Sequence, residues 1–237
     1  MLKITQLVDS IDRKNGGVAS AVFDICTSLR YFGHEVKNCT EVRKKISSNN
    51  FLIAHGLWQW PSVVAYQNWK RRKIPFLVFP HGMLDPWFKT TFPLKHFKKQ
   101  LYWWWRQGRI LSNAHAVCFT TEVERQLAQN TFWPYKCREI VTGLGVCDPP
   151  KNEEHQKSVF VEKFPIILDK KVLLYMGRLH PKKGLDLLLN AIAKNFPQDS
   201  LLVIAGPVDQ SDPYVQKLQD ISKGFGKKVL WTDMLEG

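Results

Sequence analysis

The chain has few acidic residues and no long apolar run. Its 237 residues include 21 acids against 34 lysines and arginines, which gives a formal net charge of +13. That balance favours polyanionic partners, namely nucleic acid, an anionic membrane face or a phosphorylated substrate. No stretch approaches the roughly 20 apolar residues of a membrane span, and the N-terminal apolar run is too short for a signal peptide. We therefore expect a protein that is neither integral to a membrane nor exported by that route.

Cysteines are also scarce, and their spacing excludes the common metal motifs. The five cysteines lie far apart, without a CxxC pair or a Cys/His spacing that suits zinc. We expect free thiols, as in a reducing cytoplasm. The chain also lacks internal repeats and low-complexity segments, and its 44% hydrophobic and 12% aromatic content suffices for a globular core.

Strands and helices are predicted to alternate in the first half of the chain. Residues 2–8 are predicted as a strand, and residues 17–32 as a helix that Gly33 ends. Short apolar runs recur at 51–54, 76–79 and 116–119, a rhythm typical of a parallel sheet covered on both faces. The predicted apolar stripe of the helix comprises Val18, Val22, Ile25, Leu29 and Phe32.

A polar segment divides the chain into two predicted domains. Residues 148–158, DPPKNEEHQKS, contain two prolines and no periodicity, which predicts a linker or exposed loop. The pattern that follows predicts a βαβαβ arrangement, with strands at 172–176, 201–205 and 229–231 and helices at 185–196 and 213–222. The sequence thus predicts an N-terminal Rossmann-like domain over 1–150, a linker and entry segment over 151–170, and a partial C-terminal domain over 171–237.

Basic residues cluster in the turn that follows the first strand of the second domain. The stretch GRLHPKKG places Arg178, Lys182 and Lys183 between a strand end and a helix start, where parallel α/β sheets bind anionic ligands. Arginine and lysine together could hold a diphosphate without a metal. On spacing alone, a solvated basic turn remains the alternative, because proline and glycine neighbours are ordinary turn composition.

Three separated motifs of the chain point to one known family: GRLHPKKG with the following helix and LLVIAGP, NGGVASAVFDICTSLRYFGHEV, and FPHGMLDPW. They resemble GT-B glycosyltransferases, specifically the retaining family 4. The first motif is similar to the donor-binding half of that family, the second to its first glycine loop and helix, and the third to its histidine-glycine segment. The resemblance covers the whole chain. It implies an α/β GT-B fold, with an acceptor-side N-terminal domain, and transfer of a hexose from a nucleotide sugar to a glycan or lipid-linked acceptor. Such an enzyme would act in cell-surface polysaccharide or lipopolysaccharide synthesis, in the cytoplasm, without a metal or cofactor.

The resemblance also implies site residues. Arg178 and Lys183 match the pair that holds the donor diphosphate, where cations would stabilise the charge that grows on the leaving group. Gly16 and Gly17 match the glycine loop whose backbone can approach a phosphate or the acceptor. His81 matches the histidine near the transferred sugar. From the residues alone, a turn role for the glycine pair and a structural role for the histidine stay open.

Two departures from the family pattern qualify the functional expectation. The acidic motif with which the family grips ribose and sugar has no counterpart up to Gly237, and Asp233 stands where a glycine is usual, so that its carboxylate could crowd the loop. The resemblance thus implies a transferase truncated within its C-terminal domain, with a less stable C-terminal part and no turnover by this chain alone. The alternative is a non-catalytic basic binding protein or a remnant of such a transferase; the sequence has no nucleic-acid-binding motif.

A second basic region spans residues 70–109, with ten basic residues, one acid and interleaved aromatics. Helical spacing in PLKHFKKQLYWWWRQGRIL puts Leu94, Phe97, Leu101 and Trp104 or Trp105 on one face. This composition suits peripheral attachment to an anionic bilayer, at the inner membrane face. The alternative, equally open, is a helix whose apolar face packs on its own domain.

Overall fold

The computed structural model describes residues 1–12, 17–41, 46, 51–146, 148 and 151–235. The chain divides into two compact units, Met1–Asp148 and Pro149–Gly237, here called unit 1 and unit 2 and described separately. Each unit is built on a parallel sheet. Within the described ranges, no helix combines the length and the apolar content needed to cross a membrane.

Unit 1 contains a six-stranded parallel sheet with helices in the connections. The strand order is β2-β1-β3-β4-β5-β6, and the three short apolar runs predicted as strands are confirmed. The strands are β1 (Lys3–Leu7), β2 (Glu35–Cys39), β3 (Phe51–His55), β4 (Phe76–Phe79), β5 (Ala116–Phe119) and β6 (Glu139–Val141). The helices are α1 (Gly17–Tyr31), α2 (Trp60–Arg72), α3 (Trp87–Thr91), α4 (Pro93–Tyr102), α5 (Gly108–Asn113) and α6 (Glu122–Ala128), with a π-helical segment, Trp103–Gln107, between α4 and α5.

Both faces of this sheet are covered, as predicted. Neighbouring residues of one strand, Leu52 and Ile53, belong to different buried clusters because successive side chains point to opposite faces. One cluster includes Leu52 and Phe76, and the other includes Ile53 and Phe79. The strands are therefore buried on two sides, which explains their nearly continuous apolar sequences.

The first helix ends where the sequence predicts. Gly33 has a φ of +80° and donates its N–H to the carbonyl of Arg30 at 2.9 Å, which is the left-handed stop that glycine favours. The predicted burial of Phe32 is wrong, since its side chain is 73% exposed. Helical spacing no longer applies at Phe32, because the last helical residue is Tyr31.

Unit 2 contains the predicted βαβαβ arrangement. Its strands form the parallel sheet β7-β8-β9, and the apolar sides of two helices pack on it around Leu185, Leu189 and Leu202. The elements are α7 (Glu153–Lys163), β7 (Lys171–Met176), α8 (Leu185–Ile192), β8 (Ser200–Ala205), α9 (Pro213–Lys223) and β9 (Val229–Asp233), with short 3-10 turns at Pro165–Ile167, Pro181–Lys183 and Gly226–Lys228.

The predicted linker is partly helical, which corrects the sequence-based prediction. Helix α7 occupies residues that were expected to be irregular. Glutamate, glutamine and lysine have good helix propensity, but α7 has almost no apolar stripe and no buried residue. Periodicity could not reveal this helix, because it has no face that packs into a core.

The four cysteines of the described ranges are free, as expected, and Cys147 lies outside those ranges. Burial raises the pKa of the Cys118 thiol to about 12 and that of Cys137 to about 11. These thiols are therefore protonated at neutral pH, and a protonated thiol is a poor nucleophile.

Candidate active site

A pocket of about 370 Å³ lies at the carboxyl ends of β1 and β3 in unit 1. The chain passes from β1 to β2 on one side and then crosses to β3 on the other, so this is the point where the strand order reverses. Parallel α/β sheets bind their ligands at such a point. The pocket is lined by Val8, Asp9, Ser10, Val18, Ala19, His55, Gly56, Gln59 and Met83.

The start of α1 borders this pocket. Gly17 is the first residue of the helix, and a Cβ atom built on it would meet no atom within 4 Å. No packing contact of the described residues therefore demands glycine here, and the open space leaves the backbone accessible to a ligand. Gly16 lies outside the described residues.

His81 follows β4 in the loop after Phe79, and its ring is half-buried. The ring stacks on those of Phe79 and His55, with centroids 5.8 and 5.3 Å away. The backbone of His81 has a φ of +50°, a conformation uncommon for a side chain of this size. Strained backbone of this kind is concentrated at functional sites.

A hydrogen-bonded chain links His81 to the sheet. The Nε2 atom of His81 lies 3.0 Å from Nδ1 of His55, and Nε2 of His55 lies 2.9 Å from the Oε1 atom of Gln6. His55 and Gln6 are buried strand residues of β3 and β1. Sequence reasoning selected His81 and missed both partners, because the contacts join strands that are neighbours only in the folded sheet.

Burial keeps both imidazole rings neutral at neutral pH. Desolvation of His55, with a smaller contribution from His81, lowers the pKa of His55 to about 3. Burial also lowers the pKa of His81, and the negative charge of Glu124 counteracts this in part. At neutral pH, His81 can therefore exchange hydrogen bonds with a ligand but carries no charge.

Glu124 anchors the loop that carries His81. One carboxylate oxygen accepts the N–H of Gly82 at 2.8 Å, and the other accepts the N–H and the hydroxyl of Thr120 at 2.8 and 2.7 Å. The sequence contains a signal for part of this arrangement, since Thr121 and Glu124 have the spacing of a helix capping box, and the Thr121 hydroxyl accepts the N–H of Glu124. The contact with Gly82, 42 residues away, has no signal in the sequence.

In unit 2, Arg178 and Lys183 lie in the loop between β7 and α8, as predicted. Both side chains are exposed. Within the described residues, neither charged group takes part in an ion pair or a hydrogen bond. Other groups fix the conformation of this loop. The His180 side chain accepts the N–H of Lys182, and Gly184 adopts a φ of +67° before the helix starts. Two cations thus face solvent at the carboxyl end of a parallel strand.

Asp233 anchors a neighbouring loop of unit 2, so the expectation that its carboxylate could crowd the loop is corrected. Its φ of +60° explains why glycine is usual at this position, and aspartate is among the residues that tolerate such a backbone. The carboxylate accepts the N–H groups of Val208 and Met234 at 2.9 and 2.8 Å. Among the described residues, no three His, Cys, Asp or Glu side chains converge as metal ligands would.

The apolar face predicted in α4 is exposed. Leu94 is 81% and Phe97 is 60% exposed, so this face does not pack on the described part of its own unit. The π-helical segment turns Trp103 into the core, where its ring stacks on Phe132 at 5.0 Å, and leaves Trp105 67% exposed. Leu101 and Trp104, which also belong to the predicted apolar face, are exposed as well.

Two family models match the sequence. Residues 15–141 match the model described as Glycosyl transferase 4-like domain, and residues 156–236 match the one described as Glycosyl transferases group 1. The first match alone spans more than half of the chain. No curated protein matches the chain in sequence.

Solved structures share the fold at low sequence identity. Alr3699/HepE from Anabaena, in complex with UDP and glucose, matches with a TM-score of 0.70 and 14% identity over 100% of this chain and 70% of that chain. Sucrose-phosphate synthase (tll1590) from Thermosynechococcus elongatus matches with a TM-score of 0.67 and 15% identity, over 99% of this chain and 71% of that chain. A glycosyltransferase from Rickettsia africae ESF-5 matches with a TM-score of 0.63 and 15% identity, over 99% of this chain and 69% of that chain. These likenesses confirm the GT-B fold that the motifs predict.

Proposed function

The chain belongs to the glycosyltransferase family defined by the Glycosyl transferase 4-like domain, and on this premise we propose that it transfers a hexose from a nucleotide sugar to a glycan or lipid-linked acceptor. The observation that carries the proposal is the pair of exposed cations, Arg178 and Lys183, in the loop after β7, neither of which has a charge partner among the described residues. The reaction class fits a step in cell-surface polysaccharide or lipopolysaccharide synthesis by a family 4, retaining enzyme in the cytoplasm.

Arg178 and Lys183 hold the donor diphosphate in this proposal. When the bond between the anomeric carbon and the phosphate breaks, negative charge grows on the diphosphate. Cations placed at that group then stabilise the transition state more than the ground state. Arginine binds two phosphate oxygens with its planar fork, and lysine adds a compact point charge, so the residues of this chain supply the counter-charge without a metal or a cofactor.

Unit 1 binds a sugar in this proposal. The pocket beside His55 and the start of α1 offers polar groups at the edge of the sheet, and His81 offers a neutral imidazole for a sugar hydroxyl. Gly17 leaves the backbone open to the donor phosphate or the acceptor, and the family resemblance implies the same role for Gly16. The neutral imidazole of His81 suits an uncharged carbohydrate, whereas the exposed cations of unit 2 suit the phosphates.

Nucleotide binding tests the donor assignment. UDP and UDP-glucose are the first probes, because Alr3699/HepE was solved with UDP-glucose. We expect Arg178→Ala to weaken UDP binding, measured by calorimetry, by about 1.5 to 3 kcal/mol, the range for hydrogen bonds to charged groups. Lys217→Ala, which removes an exposed positive charge from α9, is the matched control and should bind UDP as the unmodified chain does.

Equal UDP affinity in the unmodified chain and in the Arg178→Ala/Lys183→Ala variant would refute the assignment. Activity is measured separately, with nucleotide sugars and lipid-linked acceptors. Transfer that Arg178→Ala abolishes supports the enzyme and overturns the expectation of no turnover by this chain alone. Vesicle binding without any nucleotide affinity supports the alternative, a non-catalytic basic binding protein.

The exposed face of α4 supports a second part of the proposal, peripheral attachment to an anionic membrane surface on the cytoplasmic side. Apolar side chains such as Leu94 and Phe97 would enter the headgroup region, and the lysines of the same helix would meet lipid phosphates. Cations already lie against aromatic rings there, with Lys95 5.0 Å from the ring of Phe92 and Arg106 5.5 Å from that of Trp105. Flotation with anionic and neutral vesicles tests this part.

A further inference from the structure

We propose that Gln6 and His55 are positioning residues that fix the tautomer of His81, so that the Nδ1 atom of His81 accepts a hydrogen bond from a hydroxyl of the bound sugar. The identity of the ligand rests on the sugar-transfer function proposed above. The geometry rests on hydrogen bonds within unit 1 alone.

The chain of hydrogen bonds starts at Gln6, whose amide can face only one way. Its Nε2 atom lies 3.1 Å from the backbone carbonyl oxygen of Val22 and 3.1 Å from the Oδ1 atom of Asn38. A backbone carbonyl can only accept, so the NH₂ group of Gln6 must face Val22. The opposite amide orientation would set two carbonyl oxygens against each other. Oε1 of Gln6 therefore faces His55.

The orientation of the Gln6 amide determines which ring nitrogen of His55 carries the hydrogen. Oε1 of Gln6 has no hydrogen to give, so Nε2 of His55, 2.9 Å away, must donate. His55 is only 1% exposed, and its desolvation keeps the ring neutral, with one ring hydrogen. That hydrogen is on Nε2, so Nδ1 of His55 is unprotonated and can only accept a hydrogen bond.

His81 completes the chain. Because Nδ1 of His55 can only accept, Nε2 of His81, 3.0 Å away, must donate. In neutral His81, the other nitrogen, Nδ1, then has the lone pair, and within the described residues no hydrogen bond to Nδ1 is present. Stacking on Phe79 and the anchoring of Gly82 by Glu124 restrict the ring and its loop.

This arrangement determines what His81 can select. An unprotonated Nδ1 accepts a hydrogen bond from a hydroxyl, which has a hydrogen to donate. It forms no hydrogen bond with a fluorine or an ether oxygen at the same place, because neither carries a hydrogen. Sites that hydrogen-bond a substrate hydroxyl discriminate strongly against analogues that lack it. Protonation of His81 at low pH turns Nδ1 into a donor, so the preference should weaken as the pH falls through the lowered pKa of His81.

The tautomers can be observed without any sugar. In protein labelled with ¹⁵N-histidine at neutral pH, two-bond ¹H–¹⁵N correlation spectra distinguish bare from protonated ring nitrogens. We expect His55 and His81 both as the neutral Nε2–H form. His81→Asn and His55→Phe assign the signals. A neutral Nδ1–H form or a doubly protonated ring at His81 would overturn the proposal.

Gln6→Leu tests the role of the first residue. It removes the acceptor for His55, so the ring nitrogens of His81 should shift toward an average of the two tautomers. Gln107→Leu is the matched control, since Gln107 is also a fully buried glutamine of unit 1 but bonds to Trp58 and Ser62 instead; it should leave the His81 signals unchanged. If Gln6→Leu fails to fold, His55→Phe, which keeps an aromatic ring beside Phe79, replaces it. An unaltered His81 tautomer in the folded variants would contradict the positioning role.

Binding of UDP-glucose analogues separates this proposal from the function on which it rests. Analogues with each glucose hydroxyl replaced in turn by fluorine are compared with UDP-glucose. We expect one position at which fluorine weakens binding at least tenfold in the unmodified chain and much less in Gln6→Leu. Absence of UDP-glucose binding would count against the proposed function, whereas the spectra decide the tautomer in either case. Binding without discrimination at any position would refute the selection by His81.

Discussion

At the scale of single residues, Gly206 shows why a glycine of the LLVIAGP motif is needed. A Cβ atom at this position would overlap the backbone carbonyl oxygen of Gly177. Backbone hydrogen bonds tie together the chain ends of β7, β8 and β9: the N–H of Gly177 donates to the carbonyl of Ala205 at 2.9 Å, and the N–H of Gly206 donates to the carbonyl of Asp233 at 3.1 Å. The loop that precedes Arg178 is therefore shaped by the loops after β8 and β9, and Gly206 makes this close approach possible.

Gly206→Ala should destabilise unit 2 by about 1 to 3 kcal/mol, the usual cost of forcing extra atoms into a packed site. Gly224→Ala is the control, because Gly224 has an ordinary φ of −61° and its Cβ would lie 3.5 Å from the nearest atom; its effect should stay within about 0.5 kcal/mol. Urea denaturation followed by hydrogen exchange of unit 2 peptides measures both. The same midpoint for the two variants would show that the loops can separate without cost.

At the scale of elements, the segment from α4 to α5 decides which aromatic residues reach the surface. A regular helix through Trp103, Trp104 and Trp105 would continue the amphipathic pattern of α4. The π-helical segment instead interrupts the regular α-helical spacing, and its buried residues are Trp103 and Gln107. Gly108 accommodates the irregularity, since a Cβ there would lie 3.0 Å from the carbonyl oxygen of Trp103.

The exposed face of α4 leads to a prediction about membranes. Leu94→Gln/Phe97→Gln should reduce flotation with anionic vesicles at least tenfold, because burying each such side chain stabilises by about 1.5 to 3 kcal/mol. Val123→Gln/Leu127→Gln on α6, where the side chains are 64% and 40% exposed, is the matched control and should float normally.

Charge is tested separately on the same helix. Lys95→Gln/Lys98→Gln should weaken binding to anionic vesicles by about 1 kcal/mol per lysine and leave binding to neutral vesicles unaffected. Salt should weaken binding of the unmodified chain in the same way. Binding that is indifferent to lipid charge, to salt and to the apolar substitutions would exclude α4 as the attachment surface.

At the scale of the whole molecule, the two units differ in how well their sheets are covered. In unit 1, strands such as β3 and β5 are buried on both faces. In unit 2, β7 is an edge strand, and its apolar side chains are exposed, with Leu174 at 57% and Met176 at 80%. The middle strand β8 is fully buried. Edge strands with exposed apolar side chains gain little stability from packing and are open to association.

Hydrogen exchange should therefore proceed in a defined order. We expect amides of β7 to exchange before those of β8, and unit 2 as a whole to open at a lower free energy than unit 1, since local stability follows the density of buried apolar contacts. Mass spectrometry of exchanged peptides from the intact chain measures this. Equal protection of β7 and β3 would contradict it and would indicate that the exposed side of β7 is covered in solution.

The sequence by itself determined the positions of most elements and of two candidate functional loops. Short apolar runs located four of the six strands of unit 1 and the three strands of unit 2, Gly33 located the end of α1, and GRLHPKKG located the cations of unit 2, because strand and helix periodicity and turn chemistry are local properties of the chain. The strands β2 and β6 were not predicted. The sequence failed at α7, which has helix propensity but no apolar stripe, and at Phe32, which lies one residue beyond its helix.

Only the tertiary structure decided how the functional side chains are held. Gln6, His55 and His81 meet because β1, β3 and β4 are neighbours in the sheet, and Glu124 reaches Gly82 from the helix after β5. Strand order and register set these contacts between residues 26 to 49 positions apart. Local periodicity carries no information about which strand end adjoins which, so the candidate site residue His81 could be recognised in the sequence, but the partners that orient its ring could not.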